Sequence, residues 1–107
     1  MMKMFLVNTD FIAGKEVVET FGIVKGSSIR AKHIGKDVVA VFRNIVGGEM
    51  KEYAEMLSEA RQIATSQMVK EAEKMGANAV INIRFSTSSI MQGAAEIMAY
   101  GTAVKVK

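Results

Sequence analysis

The chain reads as a two-layer α+β domain: about four antiparallel strands packed on one long and one shorter helix, in ββααββ order. Three observations predict this. Residues 49–75 carry a long helical period, the segments on either side alternate as strands do, and a shorter stretch of helical spacing ends at a glycine pair. At 107 residues the chain fits a single domain, residues 1–107, that can bury a core without metal or disulfide staples.

Residues 4–7 read as a brief strand, followed by a polar turn through Asn8, Thr9 and Asp10 and a break at Gly14. Residues 15–25 alternate, with Val17, Phe21 and Ile23 on one face, Glu19 as the exception, and Val18, Thr20 and Val24 on the other. Both faces are semi-apolar. Such a strand is covered on both sides or meets another chain on one of them. Gly26, Ser27 and Ser28 break the pattern, and either serine can cap a following helix. From 29 to 46 the spacing is helical, with Ile34, Val38, Val41, Phe42 and Ile45 on one side, and Gly47–Gly48 stop it.

The long helix organises the rest. Tyr53, Met56, Leu57, Ala60, Ile63, Ala64, Met68 and Met75 form one stripe, while Glu52, Glu55, Ser58, Glu59, Gln62, Ser66, Lys70 and Glu73 fall opposite. Its length would be roughly 40 Å, more than the diameter of a small domain, which leaves part of it for a neighbour to cover. Gly76 is a C-terminal stop signal. Residues 79–87 then alternate, Ala79, Ile81, Ile83 and Phe85 inward and Asn82, Arg84 and Ser86 outward. A polar connection at 87–93 leads to a last strand at 95–106, with Met98, Tyr100, Val104 and Val106 on one face and Ile97, Ala99 and Ala103 on the other. The short link predicts an antiparallel hairpin.

Composition excludes several functions. Fourteen basic against eleven acidic residues give a formal charge of +3, which supports solubility; no basic cluster marks a nucleic-acid face. Zero cysteines rule out disulfides, thiolate zinc sites and iron–sulfur clusters. The N-terminal segment has too few apolar residues for a secretory core or a membrane span, and a cytoplasmic location is the expectation. His33, the only histidine, sits beside Lys32 and reads as a solvated side chain. The nine methionines read as core filler rather than Cu(I) ligands. No nucleophile–base pair or paired acids stand at readable spacing, so no catalytic residue is assigned, no metal ligand is assigned and no cofactor is evident.

Several residues nevertheless lack an obvious structural task. The glycine pair, Gly47 and Gly48, reverses the chain, and the amides of Glu49, Met50 and Lys51 behind it could cradle an anion were it not for the carboxylate of Glu49. The P-loop pattern is missing. Arg61 has Leu57, Ser58, Ala64 and Thr65 as its helical neighbours, so its acid partner must lie elsewhere. Gln67 and Glu71 fall inside the apolar stripe, where a carboxylate needs water or a cation; an ion pair to another element or subunit is the preferred reading.

In order, Arg43 to Gly48 (RNIVGG), Tyr53, Ala60-Arg61, Met75 to Val80 (MGANAV) and Tyr100 to Val104 (YGTAV) resemble the YbjQ-like family. Its members are small, mostly prokaryotic proteins usually labelled uncharacterised or heavy-metal-binding. The resemblance implies a two-layer α+β fold with an antiparallel sheet, assembled as a homopentameric ring. It carries over no ligand set, since the chain offers neither cysteine nor a histidine pair. The resulting expectation is a non-enzymatic homo-oligomer, with any ligand held between subunits where Arg43, Gly47, Gly48, Tyr53, Arg61 and Glu71 converge. The alternative is a metal-binding or metal-sensing protein, the metal ion resting on the family label alone.

Overall fold

The structure, a computed structural model, describes residues 3–31, 48–91 and 93–107. Its elements are β1 (Phe5–Leu6), β2 (Val17–Ala31), α1 (Gly48–Lys74), β3 (Ala79–Met91) and β4 (Ala94–Val106). They form one four-stranded sheet in the order β1-β3-β4-β2, with α1 lying across one face. The β3–β4 hairpin and the β2–β4 pair are antiparallel. Phe5 and Leu6, however, run parallel to Ala79 and Val80, so the sheet is mixed rather than antiparallel. Among the described residues there is one helix, and the ββααββ order is not what they form. The shorter helix at 29–46 is contradicted at its start, where Ile29, Arg30 and Ala31 pair with Glu96, Ala95 and Ala94; its remainder lies outside the described residues.

α1 buries a row spaced by four. Ala60, Ala64, Met68 and Ala72 are fully buried, with Leu57 packed beside them. Three of the four are alanine, so the helix axis comes close to the sheet, against Val24, Val80, Ile97, Ala99 and Ala103. The expected stripe holds in the middle and drifts at its end. Ala72 replaces Met75, which lies beyond the helix and is 42% exposed. The helix stops where the sequence says it should: Gly76 takes φ +89°, its amide bonds to the Glu73 carbonyl at 3.0 Å, and the Ala77 amide bonds to that of Ala72 at 3.1 Å. Those two bonds are the paired closure of a left-handed glycine cap.

β2 is longer than its turn chemistry suggests. Gly26 does not break the strand; it lies under α1, where a Cβ would stand 2.6 Å from the Met68 amide nitrogen. A glycine inside a strand marks such a close backbone approach. Ser28 is buried on the same face. β3 likewise continues through its serine–threonine run to Met91, each residue from Ser86 to Ser89 opposite one of β4.

The inward and outward assignments in β3 need a second correction. Asn82 has φ +55° and occupies a bulge, where two residues of β3 face one of β4 between Ile81 and Arg84. The extra residue shifts the alternation by one. Ala79 and Ile81 therefore join Val104 and Val106 on the face away from α1, while Ile83 packs toward the helix. Phe5, Val7 and Ile12 from the N-terminal segment cover that second cluster. They cover only one end of the far face. Farther along, Ile23, Ile29 and Tyr100 are 77%, 63% and 39% exposed.

Candidate functional site

Each flank of α1 overhangs an edge of the sheet, and each overhang forms a groove. On the β3 side the groove runs from Asn8 and Thr9 past Arg84 and Phe85 to Thr65 and Arg61. The bulge at Asn82 creates it, because the shifted alternation brings the half-exposed Phe85 to the helix side. Arg84 is held at its mouth: Nη1 donates to the Asn8 carbonyl at 2.8 Å and to its own neighbour Ile83 at 3.0 Å. Thr65 Oγ1 donates to the Arg61 carbonyl at 2.8 Å, one turn back on the helix. The Arg61 side chain is exposed in this groove, beside Ser58, Gln62 and Ser66.

On the β2 side the groove is about 470 Å³ and is lined by Ile23, Lys25, Gln67, Lys70, Lys74 and Met75, among others. Its volume lies within the range of small-ligand sites. Gln67 has a task here that explains its place in an apolar stripe. Its Oε1 accepts from the backbone amide of Ser27 at 3.2 Å, so a helix side chain supplies the carbonyl that a neighbouring strand would otherwise provide. Glu71, one turn further on, lies 3.5 Å from Lys74 Nζ on the same helix, both groups exposed. An ion pair to another element was expected; the one seen is local and of little energetic weight. Among the described residues the inter-element pair is instead Arg30 with Glu59 at 3.1 Å, although helical spacing had placed Glu59 on the solvent side. Arg30 Nε is buried without a hydrogen-bond partner among the described residues.

The candidates fall as follows. Gly48 opens α1 and Tyr53 is half-buried on its early turns. Arg61 and Glu71 lie in separate grooves on the two flanks of the helix, so a single chain does not bring them together. Arg43, Gly47 and His33 lie outside the described residues. Sequence reasoning did not foresee the grooves themselves, although Arg61 falls in one of them and Gln67 and Glu71, polar residues in an apolar stripe, fall in the other.

Among the described residues the donors assemble no site for a resident metal. The chain has no cysteine and one histidine, and no group of three or more His, Cys, Asp or Glu among the described residues could hold an ion. No helix among those residues is long and apolar enough to cross a membrane.

A four-stranded mixed sheet, helix-covered on one face and partly bare on the other, defines a small α+β domain with grooved edges. The chain belongs to the YbjQ family, described as "Putative heavy-metal-binding", whose profile matches residues 4–107. It is 61% identical over 103 residues to a UPF0145 protein of Clostridium novyi, covering 96% of this chain and 99% of that one. A UPF0145 protein of Methanosarcina acetivorans is 58% identical over 103 residues, covering 96% and 97%. The family is functionally uncharacterised. Among solved structures, a protein of unknown function from Pediococcus pentosaceus has a TM-score of 0.59 at 17% identity, covering 97% of this chain and 98% of that one, and shares the fold.

Proposed function

We propose that this chain is a non-enzymatic assembly module, which self-associates through the sheet face that α1 leaves bare and holds any small ligand between copies. The observation that carries this reading is excess surface. The chain exposes 7166 Å², against about 5,800 Å² for a compact monomer of its mass. Its radius of gyration is 17.3 Å, where about 13 Å would be usual. The excess exceeds the roughly 800 Å² that one partner contributes to a standard interface. Ile23, Ile29 and Tyr100 supply an apolar centre for such a contact.

The ring is pentameric by family resemblance, and Arg61 and Glu71, which one chain holds in separate grooves, are among its intersubunit candidates. Arg43, Gly47, Gly48 and Tyr53 remain the other intersubunit candidates. Native mass spectrometry tests the reading: a defined oligomer supports it, with any retained molecule read from the excess mass, and a monomer at micromolar concentration contradicts it. The family description favours a second reading, heavy-metal binding, but no group of donors that could hold an ion stands among the described residues.

A further inference from the structure

We propose that the outer edge of β2 is a docking site for an acidic, extended peptide segment of a partner protein, which adds as a strand beneath Lys70 and Lys74. β2 is an edge of the sheet, and its register with β4 is regular from Gly22 to Ala31. Because the Ser27 amide points outward to Gln67, the period of two turns the amides and carbonyls of Ile23 and Lys25 outward as well. Among the described residues neither has a backbone partner on that side. An open row of this kind is a template for another strand.

The groove around it selects the occupant. Lys25, Lys70 and Lys74 line it against a single carboxylate, Glu71, which already contacts Lys74. An added strand would point alternate side chains toward α1, where the two helix lysines stand, and the others to the far face beside Ile23, which is 77% exposed. The complementary sequence therefore alternates acidic with apolar residues. Gln67 limits the register, since it occupies the edge position at Ser27 that a longer strand would need. The β3-side groove lacks this combination: it carries arginines but no lysine row. The site shares Ile23 and the Glu71 flank with the surfaces assigned to self-assembly, so peptide and second copy compete for it.

The probe is a short fluorescein-labelled peptide alternating glutamate with valine, titrated against the full-length protein and followed by anisotropy. Saturable binding that weakens with salt is expected, with a loss of about tenfold for each of Lys70→Glu and Lys74→Glu. Both lysines are exposed, and circular dichroism confirms that the variants fold. The same peptide N-methylated at the amides facing β2 should not bind. Equal binding of the methylated peptide, or of a lysine–valine peptide, would overturn the proposal. So would amides of Ile23 and Lys25 that are protected from hydrogen exchange in the protein alone and lose protection on dilution, because a second copy would then fill the edge.

Discussion

Gly26 lies directly beneath Ala64, so close that a Cβ on the strand residue would run into the helix residue's carbonyl oxygen and stand 2.7 Å from Gln67 Cβ. Strand and helix backbones touch there, and the neighbouring buried alanines keep them together. The obstructing atoms belong mostly to the backbone of α1 and cannot rotate away. Gly26→Ala should therefore destabilise the fold by about 3 kcal/mol, read from the urea midpoint at unchanged slope. A midpoint shift no larger than that of Ser27→Ala would refute the close contact.

Asn78 joins the end of α1 to the end of β4. Its Oδ1 accepts from the Val106 amide at 2.7 Å and its Nδ2 donates to the Val106 carbonyl at 2.9 Å, so the side chain imitates one rung of a strand pair. Asn78→Ala removes both bonds and should cost roughly 1–3 kcal/mol. Amide exchange at Val106 should accelerate, while that at Val24 in the helix-facing core changes only with global stability. Unchanged exchange at Val106 would mean that the side chain holds nothing.

The left-handed conformation of Asn82 sets which face each later residue of β3 occupies. Asn82→Gly should be tolerated, because either residue adopts positive φ at little cost. Asn82→Val should lose about 1–2 kcal/mol and perturb the NMR methyl signals of both Ile81 and Ile83, which pack on opposite faces. A well-folded valine variant with both signals unmoved would show that the bulge does not depend on this residue.

Because no metal site is assembled among the described residues, titration of metal-free protein with zinc, copper(I) or nickel should give no saturable heat. Stoichiometric binding at micromolar affinity would restore the metal reading.

The parts legible in the sequence are those fixed by local chemistry. Gly76 announced the helix stop because a left-handed cap needs a glycine whatever surrounds it, and the Ala60–Ala64 face followed from helical spacing. The misreadings share another cause. Gly26, Ser27 and Ser28 have the composition of a turn, and only a helix lying above them makes that glycine a strand residue. Asn82 looks like an ordinary outward residue until its φ is known, so Ile81 and Ile83 were placed together although they belong to different clusters. The direction of β1 depends on where β3 starts, which no local pattern records. The grooves were illegible for the same reason: each joins residues such as Ser27 and Gln67, or Asn8 and Arg84, that meet only in the folded chain.

If the bare end of the far sheet face closes against another copy, sedimentation velocity of the wild type beside Ile29→Glu/Tyr100→Glu will show it. The wild type should sediment as a discrete oligomer and the double variant as a folded monomer, since both side chains stand on the uncovered face and neither belongs to the core clusters. A wild type that sediments as a monomer, or a double variant that keeps the wild-type oligomer, would contradict it.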